Sequence, residues 1–548
     1  MLVAETCANV PQRPAKTFRE ALQSSFFAMI ALTLEVQEQG LSFGRIDQWT
    51  YPYYKADIEN KRLTPEEAYE LICCFTVKMS ELNPAFPELG TKLYGGMMSG
   101  QGADFGGVDP ATGEDATNEL TYMFLDACGL GMRQPNYHAR ISPTKSNTKY
   151  LNEISRLLCS GSPTPALFND DVAIPLMQKT HNTSIEMARD YSIVGCMELV
   201  LSGNHFGDTD WALINIVRPL EVIVKDEKFI TPSNMNDVVN YYKLHLNEQF
   251  ENIVKDVWRL EKGLKEFPTL LSDALIDGSM EKGLDVNNGG AFYNSGGVQA
   301  VGLADVSNSL AAIDHLVFQK KICTWEELKI ALQCNFRGSG LVSEAPLKKT
   351  HDELRARCIS SPKFGNDEEL ADYYADIVMK IFSQILDQYK NTRGGNFLAG
   401  YYSMTTHVVF GKKTGAIPSG RMAGEMFANG FSPTLGSEMK GPTAALNSIA
   451  KQTPGANGTS TNIKFDIELM RGSEGIDLMR GIILGFFNRG GLQLQVNILD
   501  RAMLLDALSN PEKYRDLIVR VSGYCAYFND LSPEMKKIII NRISHKSI

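Results

Sequence analysis

Apolar residues recur at helical spacing from Phe18 to Val36, and the run stops before Gly40. That spacing predicts a helix with one buried face. A second start stands in Thr64-Pro65-Glu66-Glu67: a Thr N-cap, Pro in the first turn and acids beside the helix dipole. The helix it opens is expected to reach about Leu82. Asp115-Ala116-Thr117-Asn118-Glu119-Leu120 opens another, running to about Cys128. Residues 210–226, 235–264 and 368–390 read as further helices. Short β-rich pieces lie among them, at Tyr191–Val194, Met404–Phe410 and Leu492–Ile498. Glycine pairs at Gly289-Gly290, Gly296-Gly297, Gly394-Gly395 and Gly490-Gly491 mark sharp turns in the second half. None has the strand–GxGxxG–helix context or the GxxxxGKS/T spacing of a nucleotide site. There is no fixed-period repeat and no low-complexity linker. The pattern reads as one large α/β body.

Composition narrows the class. A length of 548 residues allows three or four domains at about 150 residues each, or one large barrel. Apolar residues make up 43% and charged residues 22%, which excludes a disordered or collagen-like chain. No stretch reaches about 18 uninterrupted apolar residues, and Met1 to Cys7 lacks the pattern of a signal peptide. A net charge of −10 argues against a nucleic-acid partner. We therefore expect a cytoplasmic protein with no membrane or nucleic-acid partner. Ten cysteines are too sparse for a disulfide scaffold, and no two are spaced C-x-x-C. They are expected to be reduced, with no metal bound. Cys73-Cys74, inside Leu71-Ile72-Cys73-Cys74-Phe75, reads as core filler on a helix.

Two segments carry candidate chemistry. In Tyr191-Ser192-Ile193-Val194-Gly195-Cys196-Met197-Glu198-Leu199 an apolar strand ends in Gly, then Cys, then an acid two residues on. Extended backbone would turn the thiol of Cys196 and the carboxylate of Glu198 to one side. A carboxylate raises a thiol pKa, so the pair is poorly suited to polar nucleophilic work. It suits hydrogen-atom chemistry, in which sulfur takes the atom and the acid moves a proton. A buried Cys near an unrelated Glu is the ordinary reading of such a stretch. The second segment is Ile518-Val519-Arg520-Val521-Ser522-Gly523-Tyr524-Cys525-Ala526-Tyr527-Phe528. A lone Gly among apolar residues ordinarily marks a bulge or tight bend. A glycine Cα is also the backbone position best able to hold a delocalised radical, since no side chain forces it out of plane.

Together the two segments resemble the glycyl radical enzymes of the pyruvate formate-lyase-like superfamily. Arg520-Val521-Ser522-Gly523-Tyr524 fits their C-terminal R-V-S/T-G-Y/F signature, and Gly195-Cys196-Met197-Glu198 is similar to their G-C-x-E loop. Further stretches match in order along the chain. They include Gly44-Arg45-Ile46-Asp47-Gln48, Phe168-Asn169-Asp170, Gly415 to Arg421 and Gly441-Pro442-Thr443-Ala444. The resemblance implies a ten-stranded α/β barrel of two antiparallel five-stranded halves, wrapped by helices. It implies a barrel domain over residues 1–440, with the cysteine loop near 196, and a glycyl radical domain over 441–548. It implies that Gly523 stores the radical, that Cys196 becomes a thiyl taking hydrogen from a small organic substrate, and that Glu198 assists elimination. No cofactor would be bound. A separate S-adenosylmethionine/[4Fe-4S] activating enzyme would install the radical, in a homodimer.

Departures from subfamily patterns narrow the choice. Gly195 stands where pyruvate formate-lyase carries a second cysteine, which argues against formate acetyltransfer. Trp211 stands where the fumarate-adding synthases place Arg. Asp210, fourteen residues after Cys196, fits the diol dehydratases and is a candidate for a substrate hydroxyl, as is Tyr402. Asp210 also reads as a helix N-cap. Leu41-Ser42 replaces their His-Ser, which leaves Ser42 as a substrate contact and puts glycerol or propanediol in question. His205 and His407 read as structural or pocket-lining. The expected activity is an anaerobic lyase, most simply a dehydratase, breaking a C–O, C–N, C–S or C–C bond. The rivals are an inactive scaffold and a polar thiol hydrolase using Cys196. Family members usually carry a few hundred residues before the segment with which this chain starts. The chain is accordingly expected to lack the N-terminal part of the barrel and to need a further chain to supply it.

Overall fold

The protein is described here by a computed structural model covering residues 2–36, 40–82, 88, 100–226, 229, 231–338 and 350–547. In chain order its strands are β1 (Ser42–Arg45), β2 (Gly102–Gly106), β3 (Asn136–Ile141), β4 (Ala166–Asn169), β5 (Tyr191–Val194), β6 (Glu198–Leu201), β7 (Asp208–Asn215), β8 (Gly296–Val301), β9 (Phe397–Gly400), β10 (Asn462–Phe465), β11 (Gln493–Ile498), β12 (Ile518–Arg520) and β13 (Cys525–Tyr527). One sheet has the order β1-β2-β3-β4-β11-β10 and another the order β7-β8-β9. Pairing is parallel throughout both sheets, except between β4 and β11. A parallel bridge from Tyr401 to Thr459 carries the end of β9 on toward β10.

Followed through that bridge, the wall is continuous. Four parallel strands, β1 to β4, meet five parallel strands that run the opposite way. Two opposed sets of parallel strands are present, as expected, in an α/β fold. Among the described residues the first half has four strands, not five, and neither β1 nor β7 has a strand on its outer side. A cavity of about 600 Å³ lies between those two edges, lined by Ser42, Arg45 and Thr209 among others. Every residue of β3, β8 and β11 is buried. Parallel strands covered on both faces show this pattern.

The helices at Phe18–Val36 and Met235–Leu264 stand where periodicity predicts them. Thr64 and Glu67 form a reciprocal capping box, and the helix runs Pro65–Met79. The next begins at Glu119, later than Asp115, because Asn118 and Thr121 cap it while Asp115 binds Thr117 and Asn147. The helix Glu369–Leu386 ends short of the expected 390.

Three expectations are corrected. Residues 210–226 are strand β7 followed by the helix Arg218–Lys225. Trp211 to Val217 is apolar at every position but Asn215, so it has no period that separates strand from helix. Pro219, in the first turn, sets the true helix start. Met404–Phe410 is no strand. The helix Thr406–Lys413 occupies it, and the strand lies earlier, at β9. Packing of the buried Thr406, His407 and Val408 overrides their β-propensity. Cys74 is exposed and Cys73 only half-buried. The buried stripe on that helix runs through Ala68, Ile72, Phe75, Thr76 and Met79, and passes both cysteines by. No helix among the described residues is long and apolar enough to cross a membrane.

Candidate active site

Two hairpins stand outside the wall and meet inside it. β5 and β6 pair antiparallel, with Val194 opposite Glu198, so Gly195-Cys196-Met197 forms the turn. Gly195 has φ +59°, a region glycine enters without strain. The stem is tied to β2. Asp104 accepts hydrogen bonds from the Ser192 hydroxyl at 2.5 Å and the Ile193 N–H at 2.8 Å. Its base is tied to β3 and the end of β4, where Arg140 donates to the Tyr191 carbonyl and forks onto Asp170 at 2.9 and 3.0 Å. β12 and β13 form the second hairpin, pairing Arg520 with Cys525 across a turn that contains Gly523.

The tips touch. Gly523 has φ +90°. A Cβ built on it would lie 2.5 Å from Cys196 Cβ and 3.2 Å from Cys196 Sγ. The hydrogen that points where a side chain would go is therefore aimed at the thiol. Both peptide groups of Gly523 are held. Its N–H donates to Gln495 Oε1 at 2.9 Å. Its carbonyl accepts from Arg520 Nη2 at 2.9 Å and Asn136 Nδ2 at 2.8 Å. Arg520 is itself fixed by Gln495 Oε1 at 2.6 Å and Asn136 Oδ1 at 2.7 Å.

Glu198 sits beneath the cysteine turn, but not by the extended geometry expected from its spacing. Its Oε2 accepts from the Cys196 and Met197 N–H groups at 2.7 and 2.6 Å, as a cap of the turn. Its Oε1 lies 2.8 Å from the Tyr402 hydroxyl, which also lies 3.0 Å from Asp210 Oδ1. Asn457 Nδ2 donates to the same hydroxyl at 3.1 Å, and Gln299 Nε2 donates to Asp210 at 2.5 Å. These partners come from β7, β8, the end of β9 and the approach to β10. A hydroxyl has one proton to donate. It satisfies one carboxylate only, which favours a proton on the other. Electrostatics agree. Burial, reinforced by Asp210, pushes Glu198 up to about 8, and burial raises Asp210 as well. Burial and the nearby Glu198 and Asp210 carboxylates push the Cys196 thiol well above its ordinary value. A thiol held protonated is a poor nucleophile and retains the S–H bond that hydrogen-atom transfer needs.

The structure thus brings Gly523 to Cys196, and Glu198 to Tyr402 and Asp210. Ser42 stands apart. Its hydroxyl lies 3.3 Å from Ser192 Oγ, and it faces the 600 Å³ cavity that Thr209 also lines. His205 faces that cavity too, with Nε2 2.7 Å from Ser295 Oγ. His407 is buried against Ser403. The described residues contain no group of three side chains able to hold a metal. Sequence reasoning missed Asn136, Gln495, Gln299 and Asn457. Gln493, Gln495 and Asn497 alternate with apolar residues along one strand, which is a legible sign of an inward polar face. Asn136 has no such local sign.

Comparison with known proteins places the chain. Residues 1–411 match the family described as Pyruvate formate lyase-like, and residues 427–529 the one described as Glycine radical. A probable dehydratase of Escherichia coli strain K12, YbiW, is 32% identical over all of this chain and 70% of its own length. The trans-4-hydroxy-L-proline dehydratase of Clostridioides difficile is 32% identical over 99% of this chain and 69% of its own. A glycyl radical enzyme from Archaeoglobus fulgidus superposes with a TM-score of 0.93 at 35% identity, covering 100% of this chain and 70% of that one.

Proposed function

The chain belongs to the pyruvate formate lyase-like glycyl radical enzymes, as a lyase or dehydratase, and from that premise we propose that Gly523 carries the radical and Cys196 delivers it to substrate. The observation that supports this is that the Gly523 side-chain direction runs into Cys196: a Cβ built there would lie 2.5 Å from Cys196 Cβ and 3.2 Å from its Sγ. A hydrogen atom passes from sulfur to the glycine Cα. The S–H bond breaks, the C–H bond forms and the unpaired electron moves to sulfur. Sulfur then takes a hydrogen atom from a substrate carbon, and the product radical later recovers one from the thiol. No net oxidant is consumed in the cycle.

Glu198, Tyr402 and Asp210 manage the elimination. With one proton between two carboxylates, one end protonates a leaving hydroxyl while the other accepts a proton from the substrate. The ionisable groups beside the thiol are two carboxyl groups sharing one proton, so we assign the site a small neutral or cationic hydroxylated substrate, with a C–O bond broken. Burial inside the wall keeps water from the radical carbon. A radical-SAM activating enzyme installs the radical.

The test of the central reading is anaerobic incubation with a radical-SAM activating enzyme, S-adenosylmethionine and a reductant, followed by electron paramagnetic resonance. The expected signal is a doublet from the remaining Cα hydrogen of Gly523. No doublet, under conditions that activate a related enzyme, overturns the assignment and favours an inactive scaffold.

The shared proton also predicts a pH profile. As pH rises through about 8 the triad loses its proton, no acid remains and kcat falls. At low pH both carboxylates are protonated, no base remains and kcat falls again. Glu198→Gln should remove the alkaline limb and lower kcat by ~10²–10⁴-fold, with the doublet unchanged. An alkaline limb that persists in E198Q would assign the titration to another group.

A further inference from the structure

The Cys196 and Gly523 turns come from separate hairpins, and hydrogen transfer between them requires a fixed register. One side chain bonds strongly to both. Asn136 opens β3 and is 1% exposed. Its backbone N–H donates to the Gln101 carbonyl at 2.8 Å, which anchors it in the wall. Its Nδ2 donates one hydrogen to the Gly195 carbonyl and the other to the Gly523 carbonyl, both at 2.8 Å. Its Oδ1 accepts from Arg520 Nη1 at 2.7 Å.

The two carbonyls belong to peptides that matter. Gly195 C=O shares a peptide plane with the Cys196 N–H, whose other end is held by Glu198. Gly523 C=O is attached directly to the Cα that exchanges hydrogen. Two carbonyl oxygens brought to one place repel each other unless donors stand between them. The planar amide supplies two donors at a fixed angle, so it sets the spacing of the turns and not merely their proximity. Gln495 adds a weaker link, with Nε2 3.9 Å from Met197 Sδ while Oε1 accepts from Gly523 N–H.

We propose that Asn136 is a positioning residue: a latch that holds the cysteine turn and the glycine turn in the register for hydrogen transfer. This rests on the reading of Gly523 and Cys196 given above. It adds that transfer, and not radical storage, depends on Asn136. Storage belongs to the Gly523 peptide groups, and the Gly523 carbonyl keeps Arg520 when Asn136 is removed.

Hydrogen exchange separates the two roles. In D2O the Cys196 thiol becomes S–D. Each reversible transfer puts a deuteron on Gly523, and when the glycine turn relaxes before the return step the original hydrogen is removed and the deuteron stays. The doublet therefore collapses to a singlet at a rate that requires transfer. In the activated wild type this collapse is expected; in Cys196→Ser it should be absent. Asn136→Ala and Asn136→Asp should keep the doublet and exchange ~10–100-fold more slowly, since small misplacement of reacting atoms is costly. N136D keeps an acceptor for Arg520 while setting an oxygen against both carbonyls, so it tests the donors alone. Exchange at the wild-type rate in either variant overturns the proposal. So does loss of the doublet in a variant that melts with the wild type, which would assign Asn136 to installation. Misfolding of both variants overturns it as well, leaving Asn136 a structural residue. Failure of the wild type to show a doublet would instead overturn the underlying assignment of Gly523.

Discussion

Cys196→Ser should carry the glycine doublet at wild-type amplitude and turn over no substrate, a loss of at least ~10⁴-fold in kcat. The replacement is nearly isosteric, and the turn's N–H groups still cap onto Glu198. What changes is the bond that must break. An O–H bond is far stronger than an S–H bond, so a glycine-centred radical has no driving force to draw hydrogen from serine. Radical storage at Gly523 does not involve the side chain at 196, so the doublet persists. Measuring the doublet and product formation in the same sample checks this. Turnover above a hundredth of wild type would remove Cys196 from the path.

Gly523→Ala should abolish both the doublet and the activity, and should also destabilise the fold. The added methyl would lie 2.5 Å from Cys196 Cβ and 3.0 Å from Met197 Cε. It would also sit at φ +90°, where an L-residue is strained. Strain and overpacking together should cost about 2–4 kcal/mol, read as a lower denaturant midpoint. The chemical readout is independent of that cost. Activated wild type admitted to oxygen should be cut at Gly523 and release the segment that begins there, as mass spectrometry would show. G523A treated alike should stay whole. A doublet in G523A would place the radical elsewhere.

Both turns were legible because their chemistry is local. Gly195-Cys196-Met197-Glu198 and Arg520 to Tyr524 are contiguous, and each demands particular residue types within a few positions. The helices at Phe18–Val36 and Met235–Leu264 were legible through their period. β7 does not read as a strand because Trp211 to Ile214 is an unbroken apolar run with no alternation to find. Asp210 was singled out by its distance from Cys196, yet it was read beside a helix start. It projects instead from a strand, against Tyr402.

The sequence by itself singled out Gly523, Cys196 and Glu198, because the motifs that carry the family resemblance lie in their immediate neighbours. The tertiary structure alone decided how they are joined. Asn136 reaches Gly523 across 387 residues of chain, and Tyr402 reaches Glu198 across 204. Such bonds depend on which strands lie side by side in the wall. Strand pairing at that separation is set by the packing of the whole barrel and leaves no periodicity at either residue. The shared proton follows from the same fact: the Tyr402 hydroxyl stands between Asp210 and the buried Glu198 only after distant segments have met.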